Sequence, residues 1–401
     1  MRLILLLAAL VLDPFATHAK EAQRRVTVLV SIDGFRADYL DRGITPRLSR
    51  LAKEGATGPM RPSFPTKTFP NHYALVTGKR PDRNGISGNS MIDPRRPGVM
   101  FSLGNEKQAL DPFWWSEAEP IWITAEKAGL RTATMFWPGS EVPFEGKRPS
   151  DWLRYDENVS NVQRVNTLLD WLRRPARIRP AFATIYFDTV DTIGHRFGPE
   201  SAEVNAAITE VDTRIGELVD GAAELGVTLN LVIVADHGMR AIDESRKVRL
   251  EDFIDPASFI LVEGGPYAAI EPVTGTDDRV AKALLVPHEH MTCARKEDLP
   301  ERLHWGRNPR VAAIICIAEP GWVIGAGTPP YPITGGAHGY DNADPEMLAL
   351  FIAKGPAFAK GAKLEVFDNV AVTALLRAAL DLPEDADADG KLADVKAALR
   401  R

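Results

Sequence analysis

The stretch VTVLVSIDGF, residues 26–35, joins an apolar strand to an acidic turn. From Val26 to Ile32 the residues are largely aliphatic and β-branched, which is typical of a strand buried on both faces. Asp33 and Gly34 follow at once and end the strand. The same succession of a short apolar run and a polar, Gly-rich turn recurs at residues 132–137, 181–187, 229–235 and 348–353.

Helical patterns separate these runs. Residues 46–54 form one, with Thr45 as the predicted N-cap, Pro46 in the first turn and Gly55 as the stop. Residues 201–225 form another, with apolar side chains at helical spacing on one face. Alternating strands and helices predict an α/β fold, in which a mostly parallel central sheet carries helices on both faces.

Two segments depart from this pattern. Residues 1–19 combine a basic start, an apolar run too short to span a membrane and a small-residue cleavage site, which predicts a secretory signal peptide and a periplasmic or secreted protein. An uncleaved anchor is the alternative. Residues 240–345 are irregular and rich in proline, and we expect them to form an insertion or cap within one catalytic domain, residues 20–401.

The composition limits both the class of protein and the side chains available to bind a metal ion. The 401 residues are 45% hydrophobic and 25% charged, as in a globular protein, and the net charge of -6 argues against a nucleic-acid-binding surface. Only Cys293 and Cys316 are present. They form a disulfide, or Cys316 is a buried thiol. Because two cysteines cannot build a metal cluster, any metal site here uses His and Asp.

Acidic and imidazole side chains follow several of the predicted strands, where open α/β sheets bind ligands. Any one of them alone is more simply explained as a helix cap or a packing residue. Together they supply enough ligands for two metal ions, and carboxylate with imidazole suits Zn²⁺, with Mn²⁺ or Fe as alternatives. The candidate ligands are Asp33, Asp191, His195, Asp236, His237 and His338.

The segment FPTKTFPNHY, residues 64–73, contains two candidate nucleophiles, Thr66 and Thr68. A threonine hydroxyl is a weak nucleophile, but a bound metal ion can lower its pKa as it does for water. Thr68 is favoured because a helix begins there, and free N–H groups at a helix N-terminus bind anions. Surface or packing roles are expected for His72 and His304. The pair His288 and His290 is a weaker candidate for a metal site.

These segments together resemble the nucleotide pyrophosphatase/phosphodiesterase family of the alkaline phosphatase superfamily, from Val26 to the C-terminus. The family's fold is an alkaline-phosphatase-like central sheet with two zinc ions at its edge. The motifs that carry the resemblance are SIDGFRADYL, PSFPTKTFPNHYALVTG, GISGNSMIDP, EPIWITAEKAGL, MFWPGS, DTVDTIGH, VADHGM and GGAHGYDN.

The resemblance implies a role for each candidate. Thr68 matches the nucleophile, and Asn89 the side chain that donates to a phosphoryl oxygen. Hydrolysis would proceed through a threonyl intermediate and release a nucleoside 5′-monophosphate. One zinc ion would be held by Asp191, His195 and His338, and the other by Asp33, Asp236, His237 and Thr68.

Substrate preference follows from weaker matches. Four aromatic residues fall where nucleotide-preferring members place the base, and Lys107 where they place a polar contact to it. The aromatic residues are Phe69, Trp137, Tyr155 and Tyr186. Trp137 and Tyr186 are alternatively core residues at strand ends. A lysophospholipid, a choline phosphodiester or a phosphonate is the alternative small-molecule substrate.

Overall fold

A computed structural model describes residues 25–327 and 334–400. The predicted signal peptide, residues 1–19, lies outside the described residues. Among the helices that are described, none has the length and apolar character needed to cross a bilayer.

An eight-stranded sheet forms the centre of the molecule. Its strands are β1 (Arg25–Ile32), β2 (Ala56–Thr57), β3 (Thr132–Met135), β4 (Asp151–Leu153), β5 (Phe182–Phe187), β6 (Thr228–Val234), β7 (Phe351–Lys354) and β8 (Ala362–Lys363). In spatial order they run β8-β2-β7-β6-β1-β5-β3-β4, and β1 pairs in parallel with both β5 and β6. Strand β7 runs antiparallel to its neighbours β6 and β2.

Each predicted apolar run contains a strand, but two boundaries were wrong. The run at 132–137 ends early because Phe136 adopts a left-handed conformation, φ 57°, which terminates an extended strand. The run at 348–353 begins late because Ala349 bridges Met60 and Arg36 instead of a strand of the central sheet.

Helices flank the sheet in two groups, which confirms the predicted fold class. The longer helices are α1 (Pro46–Glu54), α2 (Thr68–Thr77), α3 (Ile121–Lys127), α4 (Asn161–Arg173), α5 (Thr189–Phe197), α6 (Ala202–Glu224), α7 (Asp277–Leu284) and α8 (Ala371–Ala379). Helix α6 packs on α1, α4 and α5, whereas α2 packs on α3 and α8. Shorter ones span Pro81–Asn84, Glu106–Ala109, Pro112–Trp115 and Leu392–Val395.

Helix α1 has the predicted bounds but not the predicted cap. The Thr45 side chain makes no capping hydrogen bond. Instead the buried carboxylate of Asp212, from α6, accepts the backbone N–H groups of Arg47 and Leu48, at 3.1 and 2.7 Å. A side chain from a neighbouring helix therefore satisfies the free N–H groups that every helix start presents.

Residues 240–345 contain a separate antiparallel sheet of four strands, in the order Phe259–Glu263, Tyr267–Pro272, Ile314–Ala318, Met291–Arg295. Cys293 and Cys316 lie opposite each other on its last two strands and form a disulfide. We call this four-stranded sheet the insertion sheet. Among the described residues, the possible metal-binding groups include neither His288 nor His290.

Candidate metal-dependent active site

Three neighbouring strands, β5, β1 and β6, end at the same edge of the central sheet. The register places Ser31 of β1 opposite both Tyr186 of β5 and Val234 of β6. Asp33 therefore lies just beyond the end of the middle strand, β1, and Asp236 lies just beyond the end of its neighbour, β6. Because parallel strands share a direction, the residues that follow them collect at one edge.

Gly34 allows the acidic side chains to come this close. Its φ of +67° is one that L-residues rarely adopt, and a Cβ there would lie 3.0 Å from the Cα of Asp191. The Gly34 N–H also donates to Asp236 Oδ1, at 3.2 Å. The turn after β1 is thus fixed to both of the neighbouring strand ends.

One group of possible ligands consists of Asp191, His195 and His338. His195 lies one helical turn after Asp191 on α5, and its Nε2 is 3.4 Å from Asp191 Oδ2. His338 follows a short strand, Gly335–Ala337, that packs on α5; a Cβ on Gly335 would lie only 2.2 Å from the His195 carbonyl oxygen. The Nε2 atoms of His195 and His338 are 3.1 Å apart.

A second group consists of Asp33, Asp236 and His237, at the ends of β1 and β6. His237 Nε2 lies 3.3 Å from Asp33 Oδ1 and 2.9 Å from Asp236 Oδ2. The hydroxyl of Thr68 lies 3.3 Å from the same nitrogen. Asp191 is also within metal-bridging reach of Asp33 and His237, so the two groups adjoin.

The three histidines are oriented alike. The Nδ1 of His195, His237 and His338 lies 2.8, 2.9 and 2.8 Å from the backbone carbonyl oxygens of Gly336, Gly238 and Thr66. A carbonyl only accepts, so each Nδ1 carries a proton, and each Nε2 faces the site. Metal-binding histidines are held in this way.

Unsatisfied oxygen atoms show that this set of residues fits cations. Asp33, Asp191 and Asp236 each bury one carboxylate oxygen without a hydrogen-bond partner. Burial, with the charges of Asp236 and Asp191, raises the pKa of Asp33 well above its usual value. Burial and the adjacent His237 lower the pKa of His338 well below its usual value, which keeps this imidazole neutral. Divalent cations relieve the carboxylate repulsion and accept the open lone pairs.

The two threonines have different surroundings. The Thr66 hydroxyl is buried, donates to the Tyr340 carbonyl oxygen at 2.8 Å and accepts the Gly339 N–H at 2.9 Å. The Thr68 hydroxyl faces the ligand groups, and Thr68 is the first residue of α2, so its N–H has no acceptor within the helix. Thr68 therefore has both an available hydroxyl and an anion-binding N–H.

Asn89 lies beside the start of α2. Its Oδ1 accepts the Phe69 backbone N–H at 2.9 Å. Since that contact requires an acceptor, the amide orientation is determined, and both Nδ2 protons point away from Phe69. The segment of Asn89 and the start of α2 are thus tied together, and a neutral donor is left at the site.

The predicted base-binding aromatic residues differ in their exposure to solvent. Phe69 is half-buried against Phe101 and Trp115, and Tyr155 is 43% exposed. Trp137 is 2% exposed and donates its indole N–H to the His72 carbonyl oxygen, as expected of the alternative core role.

Tyr186 and Lys107 also differ in their placement. Tyr186 is 9% exposed, and its hydroxyl donates to Asp33 Oδ2 at 2.5 Å, so it supports a candidate metal ligand. Lys107 lies on the exposed helix Glu106–Ala109. Base contacts stay predictions for all five residues, Phe69, Tyr155, Trp137, Tyr186 and Lys107.

His72 was missed as part of the site. It is buried, with Nδ1 2.9 Å from the Thr68 carbonyl oxygen and Nε2 2.8 Å from Ser31 Oγ. Its Nδ1 is also 3.3 Å from Asp236 Oδ2. His72 also belongs, with Asp33 and Asp236, to one of the groups of possible metal ligands, but hydrogen bonds occupy both of its nitrogens, so that it connects β1, the Thr68 turn and Asp236. Its i, i+4 spacing from Thr68 was the available sequence signal.

Comparison with known proteins identifies the class. The sequence profile described as type I phosphodiesterase / nucleotide pyrophosphatase matches residues 27–341. An uncharacterised pyrophosphatase/phosphodiesterase of Schizosaccharomyces pombe is 37% identical over 375 residues, 89% of this chain and 77% of that protein. The bis(5′-adenosyl)-triphosphatase enpp4 of Xenopus laevis is 39% identical over 349 residues, 86% of this chain and 75% of that protein.

A solved structure extends the similarity to the whole fold. Murine ectonucleotide pyrophosphatase/phosphodiesterase 5, as an inactive threonine-to-alanine variant in complex with AMP, superposes with a TM-score of 0.88 at 35% identity. The match covers 94% of this chain and 100% of that one. The chain belongs to the nucleotide pyrophosphatase/phosphodiesterase family of the alkaline phosphatase superfamily. It is therefore a hydrolase of the phosphodiesterase class.

Replacing Tyr186 by phenylalanine tests its support of Asp33. We expect Tyr186→Phe to weaken metal binding by about 10–100-fold, because the hydrogen bond to a candidate ligand is lost while the ring remains. Chelator competition with metal-loaded protein measures the change. Tyr155→Phe is the control, since the Tyr155 hydroxyl bonds Asp188 instead. Equal affinities in all three proteins would contradict the assignment.

Proposed function

We propose that this protein is a two-zinc nucleotide pyrophosphatase/phosphodiesterase that releases nucleoside 5′-monophosphates through a covalent intermediate on Thr68. The observation that carries the proposal is the position of the Thr68 hydroxyl, 3.3 Å from His237 Nε2 at the start of α2. There it adjoins two groups of Asp and His side chains that could bind metal ions. A hydroxyl, an anion-binding helix start and two candidate metal groups in one place suit in-line displacement at phosphorus.

Two zinc ions fit the donor set of carboxylate oxygens and imidazole nitrogens. Asp191, His195 and His338 would hold one of them. The other would be held by Asp33, Asp236, His237 and Thr68. When bound, such ions lower the pKa of a hydroxyl group and neutralise charge on the transferred phosphoryl group.

The reaction proceeds in two displacements. Thr68 Oγ loses its proton, attacks phosphorus and forms an ester bond as the bond to the leaving alcohol or phosphate breaks, and the leaving oxygen takes up a proton. The Thr68 N–H and the amide of Asn89 donate to a non-bridging oxygen, whose charge increases in the transition state. Water then attacks phosphorus from the opposite side, which releases the 5′-monophosphate and restores the Thr68 hydroxyl.

The neutral donor Asn89 favours diesters. A diester carries one negative charge at phosphorus, which an amide and a backbone N–H can match. A dianionic monoester calls for a cationic partner such as arginine. We therefore propose that diesterase activity exceeds monoesterase activity.

Nucleotides are the proposed substrates. The murine relative binds AMP, and the frog relative is named for a bis(5′-adenosyl) substrate. Phe69 and Tyr155 offer partly open aromatic rings on which a base can stack, with Lys107 as a polar contact. A lysophospholipid, a choline phosphodiester or a phosphonate is the alternative.

Thr68→Ala tests the nucleophile. We expect turnover to be abolished while bound zinc stays near the wild-type content, because the Asp and His ligands remain. Hydrolysis of a nitrophenyl nucleotide and metal analysis measure the two properties. Thr66→Ala is the matched control. The assignment would be wrong if Thr66→Ala were the inactive variant and Thr68→Ala kept turnover.

A substrate panel tests the specificity. We expect kcat/KM to be highest for a nitrophenyl ester of a nucleoside 5′-monophosphate, because only that substrate has a base to stack on Phe69 and Tyr155. Nitrophenyl phosphorylcholine and phosphonoacetate represent the alternatives. Faster turnover of either would overturn the nucleotide proposal and leave the Thr68 mechanism standing.

We also propose export to the periplasm or the outside of the cell. The apolar N-terminal segment, the Cys293–Cys316 disulfide and the ectoenzyme name of the murine relative support this location. Sequencing the N-terminus of the mature protein should show a start near residue 20. Recovery of the intact chain in the cytoplasm would contradict the proposal.

A further inference from the structure

Glu263 belongs to the insertion sheet, yet its side chain points toward the catalytic segments. It is the last residue of Phe259–Glu263, where the register shifts between Leu261 and Glu263. Such a bulge turns a side chain out of its regular direction, and bulges are common next to active sites. The side chain is buried, with a residue exposure of 9%.

One carboxylate oxygen of Glu263 holds the segment of Asn89. Oε2 accepts the backbone N–H of Ser90 at 2.9 Å and the hydroxyl of Tyr267 at 2.9 Å. Gly88 leaves the room for this contact, because a Cβ there would lie 2.8 Å from Oε2. Ser90 directly follows Asn89, so the hydrogen bond fixes the backbone that carries the donor amide.

The other oxygen faces the segment of the nucleophile. Oε1 lies 3.6 Å from Nζ of Lys67, the residue that precedes Thr68. Lys67 is itself buried and packs against Gly339, where a Cβ would approach its Cε to 2.7 Å. One carboxylate therefore contacts the neighbours of both Thr68 and Asn89.

We propose that Glu263 is a positioning residue that holds the Asn89 amide in register with Thr68, so that the insertion sheet is part of the catalytic apparatus. The inference rests on the proposed roles of Thr68 and Asn89. Glu263 acts through the Ser90 backbone and the Lys67 side chain, and among the described residues its polar contacts do not include the candidate metal ligands.

The physical reason is the geometric demand of transition-state stabilisation. A donor acts on developing charge only at hydrogen-bonding distance, and displacement by about 1 Å can reduce the rate about 100-fold. The Phe69 N–H donates to the side-chain oxygen of Asn89, and Glu263 accepts the backbone N–H of the next residue, Ser90. Without Glu263, the Phe69 contact and the Leu103 N–H, which donates to the Asn89 carbonyl oxygen at 3.0 Å, would be left to restrain this segment.

Glu271 provides a matched control in the same sheet. Its Oε2 accepts the backbone N–H of Ala313 at 2.9 Å, so it too is a carboxylate that ties two segments together. That contact lies within residues 240–345, away from Thr68 and Asn89. Loss of Glu271 removes a comparable hydrogen bond without touching the catalytic segments.

The experiment compares steady-state kinetics of zinc-loaded, full-length variants on a nitrophenyl nucleotide. We expect Glu263→Ala to lower kcat about 100-fold with KM within about threefold of wild type, since the lost interaction acts in the transition state. Glu263→Gln should retain most activity, because its amide oxygen still accepts the Ser90 N–H. Glu271→Ala should keep wild-type kcat. A wild-type kcat in Glu263→Ala would overturn the proposal.

A double-mutant cycle with Asn89→Ala separates positioning from general structural support. If Glu263 acts through Asn89, Glu263→Ala causes little further loss of kcat/KM in the Asn89→Ala protein, whereas independent effects multiply. Multiplied losses would overturn the proposal. An Asn89→Ala protein with wild-type kcat would instead refute the role of Asn89 in the proposed function. Should Glu263→Ala not fold, the same cycle with Glu263→Leu, which keeps the side-chain volume, decides the question by the same criteria.

Discussion

Mutual repulsion among three carboxylates, relieved by cations, is the constraint on which the rest of this structure depends. Asp33, Asp191 and Asp236 meet at one edge of the central sheet, and each buries an oxygen that no protein donor satisfies. Without cations this arrangement would destabilise the fold, because burying an unpaired charge costs free energy. Three histidines also direct Nε2 at the same space, where the Nε2 atoms of His195 and His338 are only 3.1 Å apart. Metal binding explains both features.

Hydrogen bonds and packing contacts from several distant segments restrain the residues around Thr68. The Thr66 carbonyl orients His338, the Thr66 hydroxyl bonds to Tyr340 and Gly339, and His72 binds the Thr68 carbonyl. The insertion sheet adds a further contact through Phe64, whose ring packs against that of Tyr267. Such restraint suits a nucleophile that must stay in line with phosphorus, because reactivity depends steeply on approach geometry.

Much of the fold and of the candidate ligand set could be predicted because both depend on local patterns. The strand and helix positions follow from apolar periodicity, and Asp33, Asp236 and His237 are simply the residues that follow strands. Supporting contacts could not be predicted, because they join distant segments. His72 bonds Ser31 41 positions away, Tyr186 bonds Asp33 153 positions away, and Glu263 bonds Ser90 173 positions away.

The sequence by itself determined the order of strands and acidic turns, the helix start at Thr68 and the chemical types of the candidate ligands. Each of these depends on the preferences of a few adjacent residues. Only the tertiary structure decided that Thr66 is fully hydrogen-bonded whereas Thr68 faces the ligands, and that Tyr186 turns inward to Asp33. Burial and hydrogen-bond partners decide those outcomes, and both are properties of the packed sheet and its loops, which no single segment carries.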